Sequence, residues 1–280
     1  MLTCIEHEQA LKGDTVRLSR QWLIAQELRE QTIAAWAAEH SASHSSLFTR
    51  HSSLDISLRN VGPEALRLIE TYGLVPYMQE RTEVTNSNVT ERKLQLLAEQ
   101  ARTEQELEQG MHDILPDFCV AYPEALLPRR ASHSSLVTPH SSLAQSAFYF
   151  LSMRYTAAQF AESIMYDKTY RFYCSTDDEP YNTQVVLRDP DNRRHYTYYN
   201  ITREEMYRRV VASLRAHHAV YMEYGEDHRS GHAMAIVGLK GSLLVCQNSY
   251  GHKWGNQGRC CISRQTFMDK VCNVGLIQIQ

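Results

Sequence analysis

Residues 231–238 read Gly-His-Ala-Met-Ala-Ile-Val-Gly and residues 247–251 read Gln-Asn-Ser-Tyr-Gly. The first stretch is a short apolar run behind a glycine, the signature of a strand with buried faces. Leu243–Gln247 reads as a second strand. Lys240-Gly241-Ser242 supplies the turn between them. A hairpin built this way brings His232 and Asn248 close to one another across neighbouring strands.

Working outward, residues 219–224, 259–263 and 275–279 read as further short strands separated by turn residues. Upstream the period changes. Residues 14–40 carry Leu18, Trp22, Leu23, Ala25, Leu28, Ile33 and Trp36 at near-helical spacing, with Asp14-Thr15 as a start. Residues 63–72 predict a helix that opens on Pro63 and stops at Gly73. The polar segment 86–115 predicts helix, as do 156–165 and 202–217, the last with Thr202 and Glu205 as a capping-box pair. Helices first and antiparallel strands later predict an α+β fold of two lobes. The helical lobe is expected over 1–128, with 86–115 as a helical insertion. A β-barrel-like lobe carrying His232 and Asn248 is expected over 145–280, the whole forming one domain.

Composition narrows the functional classes. With 29 Lys+Arg against 32 Asp+Glu, the formal charge of −3 gives no electrostatic case for nucleic acid. No apolar run reaches the roughly 18–20 residues of a membrane span. Residues 1–30 are too charged for a secretory signal. The seven cysteines, Cys4, Cys119, Cys174, Cys246, Cys260, Cys261 and Cys272, show no C-x-x-C spacing. They read as free thiols of a reducing, cytoplasmic compartment, with neither a zinc site nor a disulfide framework.

Residues 42–54 (ASHSSLFTRHSSL) and 131–143 (ASHSSLVTPHSSL) are near-copies that differ only at Phe48/Val137 and Arg50/Pro139. Their histidines, His44, His51, His133 and His140, could in principle ligate a metal. Ser-rich copies interrupting patterned sequence read more simply as inserted surface loops.

Asn248-Ser249-Tyr250-Gly251, Trp254-Gly255, Gly258, Ile262-Ser263 and Phe267, placed after Gly231–Gly238, resemble the catalytic His and Asn region of the papain-like cysteine peptidases. Upstream, three further pieces favour the bleomycin hydrolase and aminopeptidase C branch. They are Leu18-Ser19-Arg20-Gln21-Trp22-Leu23, Asn60-Val61-Gly62-Pro63, and Tyr72-Gly73-Leu74-Val75-Pro76. Tyr155-Thr156, Pro180-Tyr181-Asn182 and Tyr199-Asn200 follow in the family's order. The resemblance implies a papain-like fold, a peptide substrate, no cofactor or metal, and leaves a homo-oligomer open.

It implies His232 as the general acid/base and Asn248 as the group that orients its ring. Tyr250 stands where the family has a Trp shielding that pair, and Trp254 resembles the second Trp, on the leaving-group side. Gly62 would be what remains of the glycine wall that hydrogen-bonds an extended substrate. In such enzymes a thiolate–imidazolium pair attacks the peptide carbonyl and protonates the leaving amine. The family's Gln and Cys-Trp precede the Leu-Ser step by more residues than lie before Ser19. The nucleophile is therefore expected upstream of Met1, with Cys4 an ordinary helical cysteine and residues 1–280 inactive or nearly so. The oxyanion donors lost with it contribute on the order of 10²–10³ each in rate. The branch's C-terminal arm is not recognisable after 275–279, which leaves amino- versus endopeptidase preference open. Other readings stand beside this one: a non-catalytic peptide-binding pseudopeptidase or decayed enzyme, and a zinc protein built on the His-rich repeats.

Overall fold

A computed structural model describes residues 1–41, 56–57, 61–77, 87–115, 148–189, 194–225, 231–249 and 251–278. Both His-Ser-Ser-Leu copies and Cys119 lie outside these residues. The described chain holds eight helices and ten strands. The helices are α1 (Leu2–Leu11), α2 (Arg20–Ser41), α3 (Gly62–Tyr72), α4 (Ser87–Gln100), α5 (Glu104–Ile114), α6 (Ala157–Met165), α7 (Arg203–Arg215) and α8 (Arg264–Lys270). The strands are β1 (Phe148–Phe150), β2 (Met153–Tyr155), β3 (Thr169–Cys174), β4 (Thr183–Arg188), β5 (His195–Asn200), β6 (Val220–Tyr224), β7 (His232–Lys240), β8 (Leu243–Gln247), β9 (Arg259–Ile262) and β10 (Val271–Gln278).

The α+β class holds, and β1, β2 and α6 pack with the N-terminal helices rather than with the sheet. The expected barrel does not form. Strands β3–β10 form one open sheet in the order β4-β5-β3-β10-β6-β7-β8-β9, with β4 and β9 as edges. Its pairs are antiparallel except β3–β5, which is parallel. No described residue pairs β4 with β9, so the sheet stays open.

The helix expected over 14–40 begins at Arg20 instead. Residues before it run extended and dock on 75–77, with Ser19 N–H donating to Val75 O (3.0 Å) and Tyr77 N–H to Arg17 O (2.7 Å). Ser19 then caps α2 by accepting from Trp22 N–H. The long polar helix is broken in two at 101–103. Thr103 caps α5 by accepting from Glu106 N–H, and the indole of buried Trp36 donates to Ala101 O (2.8 Å). Thr156 and Gln159 form a full capping box on α6. On α7 only half the expected box exists: Thr202 accepts from Glu205 N–H, while the Glu205 carboxylate turns to Arg208 and Arg209.

Strand alternation divides the β lobe into two packed faces. Val220 and Met222 of β6 with Met234 and Ile236 of β7 join a core beneath α7 and α8 that includes Met206, Val210 and Phe267. The intervening Tyr221 and Ala235 face α1 and α3 and pack with Cys4, Phe172 and Tyr198. A separate core, with Trp22, Leu28, Leu68 and Phe160, holds the helices together. Among the described residues no helix is long and apolar enough to cross a membrane.

A polar cluster helps tie the helices to the sheet. Glu64 on α3, its side chain 1% exposed, accepts from Arg67 Nε (2.7 Å), Arg194 and the Tyr196 hydroxyl (2.8 Å). Glu30 on α2 accepts from Arg67, Arg194 and the Tyr72 hydroxyl (2.6 Å). Burial pushes the Glu30 carboxyl up, but the Arg67 and Tyr72 hydrogen bonds outweigh it and leave it below the usual range.

Candidate active site

β7 and β8 pair with Ala235 opposite Gln247 and Ile236 opposite Cys246, and a bulge falls between Ile236 and Gly238. Continuing that register places Asn248 opposite Met234, on the face His232 shares. A slip of one residue would send Asn248 to the other face, so the register selects the pair. His232 lies at the mouth of β7, opposite Tyr224 of β6.

The two side chains meet. His232 Nε2 lies 2.9 Å from Asn248 Oδ1, and Asn248 is 3% exposed. The backbone decides which amide atom is the oxygen. Ser249 N–H, which can only donate, points at the same atom from 2.6 Å. His232 must therefore donate from Nε2, and its neutral tautomer carries the proton there with the lone pair on Nδ1. The Asn248 backbone is anchored as well: its N–H donates to Gly258 O at 2.9 Å. Gly258 has φ +81, and a Cβ there would meet Gln247 Nε2 at 2.7 Å, so only glycine closes this loop without strain.

Trp254 sits half-buried in the same loop, with its N–H bonded to Gly251 O and its carbonyl accepting from Gly258 N–H (2.7 Å). Tyr250 lies outside the described residues. Cys4 is fully buried in α1, and burial pushes its thiol up to about 11, the opposite of an activated thiolate.

Gly62 is the first residue of α3 and is buried, and its N–H donates to Glu223 Oε1 (3.1 Å). That donor is engaged inside the protein. The absence of a side chain serves packing: a Cβ would stand 2.5 Å from ring carbons of both Phe172 and Tyr221. Gly62→Ala is expected to destabilise the chain by about 1–3 kcal/mol through overpacking. A urea midpoint unchanged from wild type would contradict this packing.

Two residues that the sequence did not single out make polar contacts nearby. Glu223, fully buried on β6 one residue before the partner of His232, binds Gly62 N–H, the Tyr221 hydroxyl and Asn273 Nδ2 (2.6 Å). Burial raises its carboxyl, and the Asn273 and Gly62 hydrogen bonds limit that rise. Its only sequence signal is a lone acid in an otherwise apolar strand. Arg20, at the start of α2, donates from Nη1 to Ser249 O (3.2 Å), reaching from the helical lobe to the residue after Asn248. A polar hollow of about 450 Å³ opens elsewhere, among Gln9, Lys12, Asp14, Gln159, Glu162 and Tyr166, and shares no residue with this site. Among the described residues no group of three or more His, Cys, Asp or Glu could hold a metal ion.

No family model and no curated protein matches the chain. In three dimensions it is similar to the crystal structure of PepW from Lactobacillus rhamnosis HN001 (DR20), with a TM-score of 0.64 at 17% sequence identity. The match covers 98% of this chain and 76% of PepW. The chain thus shares the PepW fold, an α+β arrangement of the papain-like kind with an open sheet in place of a closed barrel.

Proposed function

We propose that His232 and Asn248 are the acid/base and orienting members of a Cys-His-Asn peptidase site of the aminopeptidase C and bleomycin hydrolase kind. In this reading a cysteine thiol other than the buried Cys4 completes the site, and comparing residues 1–280 with a chain extended through the upstream in-frame codons tests where it lies. The observation that carries the reading is the Nε2–Oδ1 hydrogen bond with Ser249 N–H fixing the Asn248 oxygen. The shared PepW fold supports it.

The chemistry follows from the tautomer. Nδ1 takes the thiol proton, and the imidazolium that results is stabilised by Asn248 without a second charge. The thiolate attacks the peptide carbonyl, and Nδ1–H protonates the leaving amine. Water then hydrolyses the thioester, with the same nitrogen as base. Trp254 is assigned to the leaving-group side, and the partner is a peptide in a reducing, cytoplasmic setting.

A second reading, a peptide-binding pseudopeptidase, is favoured by one observation: the Cys4 thiol is buried and held in its protonated form. A thiol-directed peptidase probe separates the two. It should label an upstream cysteine in a chain extended through the preceding in-frame codons and leave Cys4 unlabelled. Stoichiometric labelling of Cys4 would overturn the assignment of the nucleophile. A folded, extended chain that takes up no probe would favour the pseudopeptidase.

A further inference from the structure

Cys246 of β8 and Cys260 of β9 are directly opposed in the antiparallel register, and both side chains join the core beneath α7 and α8. The Cys246 thiol donates to Leu244 O (3.9 Å) and lies near enough to Cys260 to influence its titration. Among the described residues no other two cysteines occupy opposed positions. Asn248 N–H bonds Gly258 O two residues along the same ladder, so the Cys246–Cys260 pair falls in the hydrogen-bonded class. Such pairs hold their Cα atoms about 5.5 Å apart. That separation lies at the usual spacing for a disulfide, about 5.5–6 Å.

The placement gives the pair a role. The connection between β8 and β9 carries Asn248, Ser249 and Trp254, and Cys246 and Cys260 sit one pair behind Gln247 and Arg259 at its base. We propose that Cys246 and Cys260 are a reversible dithiol/disulfide pair, closed by a small-molecule disulfide, that staples the base of the loop bearing Asn248 and Trp254. The proposal holds whether or not the chain hydrolyses peptides.

Closure proceeds in two exchanges. The half-buried Cys260, on the edge strand, attacks one sulfur of the small disulfide as its thiolate and expels the other as a thiolate. Cys246 then attacks the Cys260 sulfur of the mixed disulfide and expels the second small thiolate. Two protein thiols are oxidised by two electrons, and the small disulfide is reduced to two thiols. Burial raises both protein thiols, so both are protonated at neutral pH and closure accelerates as the pH becomes alkaline. Exposed Cys261 points to the opposite face, towards solvent, and takes no part.

The test uses the purified chain and oxidised glutathione at mildly alkaline pH. Remaining thiols are alkylated under denaturing conditions and the peptides mapped by mass spectrometry. The expected product is a Cys246–Cys260 cross-linked peptide, with a melting temperature several degrees above the reduced form, both reversed by dithiothreitol. Cys261→Ser should form the same link. Cys246→Ser should stop at a glutathione mixed disulfide on Cys260. Alkylated Cys246 in the oxidised wild type, or a Cys260–Cys261 link in its place, would overturn the proposal. The wild-type and Cys261→Ser maps decide the question even if Cys246→Ser does not fold.

Discussion

His232→Ala, made in the upstream-extended chain, is expected to lower kcat/KM for peptide substrates by on the order of 10⁵–10⁶-fold, as for removal of a whole catalytic unit. The imidazole does two jobs in the proposed cycle. It removes the thiol proton, and it returns a proton to the leaving amine. Neither is done by Asn248, whose Oδ1 only accepts from His232 Nε2 and Ser249 N–H. Asn248→Ala should therefore be less damaging, by about 10²–10⁴-fold, because the ring loses its orientation and tautomer while the proton carrier remains. Asn248 is also buried, so the variant should be checked for folding before its rate is read. Initial rates on a fluorogenic peptide decide the matter. Activity in the His232→Ala protein equal to that of its parent would remove His232 from the mechanism.

The largest effect on stability is expected at Glu64. Its side chain is 1% exposed and accepts from Arg67, Arg194 and the Tyr196 hydroxyl. Deleting it removes an acceptor from the buried Tyr196 hydroxyl and one of the two carboxylates that Arg67 and Arg194 share. Breaking a buried ion pair from one side is strongly destabilising because the remaining charge is still removed from water. Arg67 and Arg194 keep 31% and 38% of their side chains exposed, which softens the penalty. Glu64→Ala is expected to lose about 2–4 kcal/mol, a fall of roughly 5–15 °C in Tm for a chain of this size. The cluster joins α2 and α3 to β5, so docking of the lobes should loosen in the same variant. A loss under about 1 kcal/mol by urea unfolding would place the cluster with surface ion pairs of small effect.

The α+β class and the His232–Asn248 pair are legible in the sequence for a local reason. β7, the Gly241 turn and β8 form one hairpin, and hairpin register follows from strand alternation and turn length. The helix over 62–72 was equally readable from Pro63 and Gly73. What failed depended on partners distant in the chain. Leu18 fits a helical period with Trp22, yet residues 16–19 are drawn into extended pairing with 75–77. β3, β4 and β5 read TYRFYC, TQVVLR and HYTYYN, rich in Tyr and Thr but without an apolar alternation to mark them as strands. The barrel expectation failed because closure depends on how β4 and β9 sit in space, which no local pattern encodes. The partner of the Gly62 N–H, Glu223, lies 161 residues away. Arg20 reaches Ser249 over a still longer separation.

The central claim is that the His232–Asn248 pair serves a cysteine peptidase. The measurement that tests it most directly is hydrolysis of amino-acyl and internal fluorogenic peptides by residues 1–280 and by the chain extended through the upstream in-frame codons. The account predicts hydrolysis by the extended chain, blocked by a thiol-directed inhibitor. A folded extended chain that cleaves neither class of substrate would contradict it.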